Sequence, residues 1–566
     1  MATPTPMAAQ TPPASGSVRN PGPGHIEPGS KGFSARRWLD PVLLKRWVMP
    51  VALILCMTVG SYLLFRLVDA LTGGSPFFSA LFPKEADDIE SAVGNFAQVM
   101  VGILGLVITV VAIVVQLAAQ RYTPKLVDLF ITDRVNIGYF LLMVTTSMYA
   151  MLMNYSAKDP VLPYIGGIFL LFLMVMNLAL LVPYFRYVFL FLTPDNIIAI
   201  IRANAKRAME RIAARPKEQP VKTADLRRLQ TDVANAMEQI SDISLSAVSQ
   251  MDRNVALLSI RSLKDVMVDH LLLKRRMPTR WFIPQKEHFP AISSDFLHEI
   301  AITRTWVEVK GFLDLDLIFK MAIKEMPDGV SAVANSTRIV GLYAMRLKDK
   351  QVLATVIQFF NTFLRHALND RNPKAIYNLF YQYRLLCQEV LKVDQPLAEK
   401  ICGHFKYYGQ TAQQYQIPLS LITAAFDLSH LVQRAYDMKV PNLETLVNIF
   451  LEVDDNPATQ ANEFDLRSVR KAQLLFASYL LSKGDTTIVQ RIFQDLKVEP
   501  KARMNAIRKE VHAVKDRKYW EVTDRGVDFF YFDDDQKKYL EQFYIGYMEP
   551  YWAEQERLNP AGALPA

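Results

Sequence analysis

The chain has 566 residues, of which 51% are hydrophobic and 21% charged, with a formal net charge of +8 and three cysteines. So few cysteines exclude a disulfide-stapled framework, and the length leaves room for a membrane part plus at least one further domain. The hydrophobic content averages two unlike parts: nearly all long apolar runs lie before about Leu192, and everything from Thr193 reads as a soluble helical protein with charged surfaces.

Residues 1–35 are rich in Pro, Gly, Ser, Ala and Thr and hold almost no large apolar side chain. They cannot offset the entropy of folding, so a disordered cytoplasmic tail is expected. A membrane domain over 36–192 follows, with spans at about 47–65, 96–119, 137–153 and 164–184. Each approaches the roughly 17 to 25 residues that cross a hydrocarbon core. The first span begins too far along and lacks a small-residue cleavage site, so it is read as an uncleaved helix.

Lys and Arg alternate in density across the loops. Arg36, Arg37, Lys45 and Arg46 precede the first span, whereas Asp69, Glu85, Asp87, Asp88 and Glu90 dominate the loop after it. Arg121, Lys125 and Arg134 lie between spans two and three, Lys158 alone lies in the next loop, and Arg186, Arg202, Lys206, Arg207 and Arg211 follow span four. This bias puts both termini in the cytoplasm of a cell with the chain in its inner membrane. Cys56 in a span and the scattered Cys387 and Cys402 agree with reduced thiols.

The second span carries a stripe of polar and small residues: Gln98, Gly102, Gly105, Thr109, Ala112, Gln116 and Ala119. Intervals alternating between four and three keep all of them on one face of a helix. Such a face either packs against neighbouring helices, for which Gly, Ala and Thr suit, or lines a wet pathway.

Thr123 and Pro124 announce a short amphipathic helix through Leu126, Val127, Leu129, Phe130 and Ile131. Thr193, Pro194 and Asp195 open another, through Ile197, Ile198, Ile200 and Ile201, which makes 193–221 a basic linker into a helical domain over 222–566. Thr223 to Leu273 supplies two helices, and Ser293 to Lys483 a succession of them, broken near Asp328-Gly329, Asn372-Pro373 and Asp455 with Pro457. No fixed repeat emerges. Tyr519–Thr523 and Val527–Phe532, separated by Asp524, Arg525 and Gly526, predict a small β-hairpin. Asp533 to Asp535 lack calcium-loop spacing and read as the cap of a helix from Gln536.

The run Gln116-Leu117-Ala118-Ala119-Gln120-Arg121-Tyr122-Thr123-Pro124-Lys125-Leu126, with Phe130, Asp133-Arg134 and Tyr139-Phe140 after it, resembles a bacterial membrane-protein family called domain of unknown function 2254. The resemblance implies four spans, a glutamine ending span two and a basic helix before span three, and it extends more weakly over Ser241 to Leu273. Two positions depart from the family pattern. Tyr184-Phe185-Arg186-Tyr187 stands where the family tends to place histidine, and Met251-Asp252-Arg253 stands for an Asn-Asp-Pro-like turn. No proton-handling role carries over, and the family implies no activity.

No phosphate loop, dinucleotide fingerprint, HExxH, GxSxG or paired CxxC occurs, and the histidines, His288 and His298 among them, are dispersed. No enzyme, cofactor or metal is expected. Basic residues supply lipid-headgroup contacts in this reading: Arg121, Lys125, Arg202, Lys206, Arg207, Arg211, and the cluster Lys274, Arg275, Arg276 with Arg280. A second basic stretch runs from Lys497 to Lys518; nucleic acid is not the expected partner.

The sequence thus predicts an all-α protein, a four-span bundle followed by an irregular helical cytoplasmic domain. Its expected role is that of a non-enzymatic oligomeric platform that binds membrane lipids and a cytoplasmic protein partner. The alternative is a gated pore lined by the second-span stripe. A transporter is disfavoured because no charge lies centrally in any span.

Overall fold

A computed structural model describes residues 41–72, 86–121, 126–156, 164–215, 222–455, 462–519, 523 and 525–558. The tail at 1–35, the turn at 122–125 with Lys125, and the side chain of Arg121 lie outside what it describes. The chain is helical, and no strand occurs among the described residues.

The first eight helices are α1 (Pro41–Thr72), α2 (Ala86–Arg121), α3 (Leu126–Ile131), α4 (Arg134–Ser156), α5 (Tyr164–Phe191), α6 (Pro194–Ala213), α7 (Thr223–Ser249) and α8 (Arg253–Leu273). Four segments are long and apolar enough to cross a membrane: Val51–Leu71, Val93–Gln120, Arg134–Tyr155 and Ile165–Phe191. The spans read from the sequence are all present, and α1 continues further than expected, so that Arg66 and Asp69 sit in its last turns rather than in a loop. Two compact units divide the chain, one of residues up to Gly105 with Gly138–Ala179, the other of Leu106–Ile137 with everything from Leu180.

In the first unit Val93, Ala97, Tyr149, Ala150, Met153 and Leu170 form a buried core, with Tyr62, Phe96 and Phe169 against it. Phe65 stacks on Phe169 at 4.3 Å, and Tyr149 meets the same ring edge-on at 5.5 Å. Asp69 accepts hydrogen bonds from the backbone N–H groups of Ile165 (2.8 Å) and Gly166 (3.1 Å), filling the unsatisfied donors at the start of α5. Asn177 of span four donates from its amide to Thr146 Oγ1 at 2.9 Å and to the Leu173 carbonyl at 2.8 Å, while its buried Oδ1 has no hydrogen-bond partner among the described residues.

In the second unit Phe130 of α3 packs edge-on against Phe191 at 5.6 Å, and Tyr187 donates to Asp133 at 2.7 Å. Thr193 and Pro194 open α6 as expected, although the Thr193 hydroxyl turns back to donate to the Leu190 carbonyl. Ile197, Ile198, Ile201, Ala205, Ala208, Met209 and Ile212 are buried and make the apolar stripe of α6. A turn recurs between later helices. Met251, Lys348, Arg371 and Gly484 take positive φ, and the next residues, Asp252, Asp349, Asn372 and Asp485, each cap the following helix through their side chains. The Met251-Asp252-Arg253 departure therefore still makes the turn.

Thirteen further α-helices run from Ser294 to Leu558 among the described residues. Stacked rings tie them in sequence: Phe312 on Phe359 (4.9 Å), Phe360 on Tyr383 (4.7 Å), and Phe380 on Phe405 (4.9 Å). The break expected at Asp328-Gly329 falls at Met326, with Pro327 first in the next helix. Asn372 caps the helix from Pro373 as expected, and Asp533 closes a capping box with Gln536. Pro457 lies outside the described residues.

The expected hairpin is not supported, since no strand occurs among the described residues of 519–532. Residues 520–522 and Asp524 lie outside the described residues, and 525–532 are turns whose side chains anchor singly to helices. Arg525 pairs with buried Asp427 and lies over Tyr377 at 4.4 Å, while Phe529 stacks on Phe426 at 4.9 Å. The aromatics that suggested a strand satisfy themselves in interhelical slots instead.

Candidate functional site

Most of the α2 stripe is exposed. Gln98, Gly102, Gly105, Thr109, Ala112 and Gln116 are exposed, and Ala119 is half-buried. The buried residues of the same helix are Val93, Ala97, Met100, Val107, Val111 and Val115. At about 100° per residue, the two lines are separated by well over a right angle. A Cβ built on Gly102 or Gly105 would meet nothing within 4 Å. The third surface of α2 carries Leu106 and Leu117, exposed at 59% and 61%, an ordinary lipid-facing composition.

The basic residues of α6 divide by face. Arg202 pairs with Asp265 at 2.8 Å and Asp269 at 3.4 Å, and Lys206 with Asp269 at 3.6 Å, so this pair is neutralised by α8. Arg207 and Arg211 lie on the other side of the apolar stripe and make no ion pair or side-chain hydrogen bond among the described residues. They line an open cleft of about 310 Å³ together with Asn204, Asp232, Asn235 and Gln239. Leu129, Ile201, Ala208 and Ala236 complete its wall. Arg215, just past α6, lies 3.9 Å from Asp225 in the first turn of α7, where the two antiparallel helices meet.

The cluster after α8 is also partly engaged: Lys274 binds Asp349 at 2.6 Å and Arg275 donates to the Leu347 carbonyl, whereas Arg276 and Arg280 are exposed.

Three buried polar clusters were not foreseen. His270 Nδ1 lies 2.6 Å from Glu308, both side chains being fully buried, and Trp281 Nε1–H donates to His270 Nε2 at 3.1 Å. Indole nitrogen is only a donor, so Nε2 is the accepting nitrogen of His270 and Nδ1–H donates to the Glu308 carboxylate. Arg470 is buried among Glu499 (2.6 Å), Asp454 (3.0 Å) and Asp495 (3.1 Å), where burial pushes Asp454 up to about 6 against the pull of Arg470. Cys387 and Cys402 meet in the core, with burial and the neighbouring thiol pushing Cys387 well up. The partners in each cluster come from different helices, so no local spacing announces them. They bind helices together and open onto no cleft described above.

Residues 45–229 match the model of a family described as "Predicted membrane protein (DUF2254)". The resemblance to DUF2254 holds over that stretch. The DUF2254 match takes in the four spans, the α2 stripe and Arg207 with Arg211, and it ends before Asp232 and before the Ser241 to Leu273 region. No curated protein matches the chain. Among solved structures, a "Circular tandem repeat protein with novel repeat topology and enhanced subunit contact surfaces" is 14% identical, covering 89% of this chain and 99% of its own, at a TM-score of 0.29. That similarity is too low to carry an argument about fold or function.

Proposed function

We propose that the protein is a non-enzymatic, oligomeric membrane platform whose helical domain lies in the cytoplasm and binds a protein partner. The single observation that carries this reading is the exposure of the α2 stripe. Gln98 and Gln116 are costly against lipid, and small residues between them permit close backbone approach, so a second copy of the same helix is the cover that suits the face. The alternation of Lys and Arg supports cytoplasmic termini and an inner-membrane location. The length of the helical domain and the lack of catalytic motifs support a scaffold, sensor or assembly role.

Light scattering on the purified, detergent-solubilised chain tests the proposal. Wild type should have the mass of two or more copies and Gly102→Leu that of one. A monomeric wild type would remove the reading's main support.

The alternative, a gated pore, is favoured by three polar side chains, Gln98, Thr109 and Gln116, sharing the exposed face. It predicts ion flux through reconstituted liposomes that Gly105→Leu and Gln116→Leu both alter. Tight liposomes under several gradients leave the platform reading in place.

A further inference from the structure

Helix α6 carries four basic side chains near one another, and two of them are paired by α8. Arg202 and Lys206 have Asp265 and Asp269, whereas Arg207 and Arg211, one turn apart in the cleft wall, have no counter-charge in contact among the described residues. Like charges at i and i+4 repel by a few tenths of a kcal/mol on a helix. An anion bridging them removes that repulsion, and two guanidinium forks match the oxygens of a phosphate.

The rest of the cleft restricts what the anion is attached to. Asp232 lines the same cleft from α7 and forms no ion pair with either arginine, so a carboxylate remains available beside the two cations. Along antiparallel α6 and α7 the lining residues run in the order Arg211, Arg207, Asn204, Ile201 on one helix and Asp232, Asn235, Gln239 on the other. The cleft therefore grades from charged, through an amide belt, to the apolar pair Ile201 and Leu129. That apolar end is the one nearer α5, because Phe130, next to Leu129, packs on Phe191.

We infer that this cleft binds a phosphate ester that also carries a cationic amine, with Arg207 and Arg211 on the phosphate and Asp232 on the amine. The amides of Asn204, Asn235 and Gln239 hydrogen-bond the ester oxygens, and Ile201 with Leu129 accept the apolar continuation. An aminophospholipid headgroup and a soluble phosphoamine share this chemistry.

The test is native mass spectrometry of the full chain in maltoside micelles. One arm offers phosphatidylethanolamine and phosphatidylglycerol with identical acyl chains in equal amounts, and the other offers O-phosphoethanolamine against glycerol phosphate. Wild type should retain the amine-bearing ester preferentially, and the arm in which it does so names the source. Arg207→Gln with Arg211→Gln should lower retention about tenfold, a loss of about 1.4 kcal/mol, while Asp232→Asn should abolish the preference and leave binding of the amine-free ester. Lys324→Gln, an exposed substitution outside the cleft, should change nothing. Absence of any preference by wild type in both arms overturns the inference without recourse to a variant. Undiminished retention by the double arginine variant, or a preference that survives Asp232→Asn, overturns it equally.

Discussion

Met100 and Gly102, two residues apart on α2, face opposite environments: Met100 is fully buried, whereas a Cβ on Gly102 would meet open space. The two positions separate folding from assembly. Met100→Ala removes buried apolar contacts and should cost about 2 to 5 kcal/mol of stability. Gly102→Leu should leave the monomer's melting temperature within a degree or two while changing its assembly. Melting curves and particle mass, measured on the same detergent preparations, check both expectations.

Asp69 ties the end of α1 to the start of α5 through two backbone N–H groups. Replacing it with Ala leaves those donors unpaired and should cost about 1 to 2 kcal/mol, the upper part of the range for a lost cap. Asp69→Asn keeps one acceptor oxygen and should fall between Ala and wild type. Thermal unfolding of the detergent-solubilised chain, followed by circular dichroism, ranks the three.

At the turn between α7 and α8, Met251 holds a φ of 56°, which glycine adopts without the steric cost of a Cβ. Met251→Gly should stabilise the helical domain or leave it unchanged, the relief being of order 0.5 to 1 kcal/mol before the added chain entropy is subtracted. Asp252→Ala should destabilise by about 1 kcal/mol because the Val255 N–H loses its acceptor. Denaturant midpoints for the two variants should move in opposite directions or, for Met251→Gly, not at all.

Asp454 has a folded-state value of about 6 against an ordinary 3.8, raised by burial and by the neighbouring Asp495 despite Arg470. The folded state therefore binds this proton more tightly than the unfolded chain, so the ionised carboxyl costs stability as pH rises towards about 6. Asp454→Asn should accordingly gain on wild type as pH rises from about 4 to about 6, and level off above. Arg470→Met, which strands three carboxylates, should lose about 3 to 5 kcal/mol at neutral pH. Melting temperatures across that window decide the sign; a variant that loses ground with rising pH contradicts it.

Much of this architecture was legible locally. The spans announce themselves by apolar length, and Thr193-Pro194, Asn372-Pro373 and Asp533 mark helix starts because capping needs only adjacent residues. The hairpin finds no support for the same reason: Phe529 and Phe530 have strand-like neighbours, but they contact Phe426, and Arg525 pairs with Asp427, both far away in sequence. The recurring turns escaped a search for repeats because Met251, Lys348, Arg371 and Gly484 share a backbone conformation and not a residue type. The basic run of α6 was visible as charge, yet its division into a paired face and an open one depends on Asp265 and Asp269, two helices later.

The central claim is that the α2 stripe is an interface between copies of the chain. Oxidative cross-linking in native membranes tests it most directly, using single cysteines placed in a background where Cys56, Cys387 and Cys402 are serine. Disulfides form only when Cα atoms come within about 7 Å, so a symmetric contact along the stripe should link Gly102→Cys and Ala112→Cys. Leu106→Cys and Leu117→Cys, on the lipid-facing surface, should stay monomeric. Cross-linking at the leucine positions with none at Gly102 or Ala112 would contradict the account.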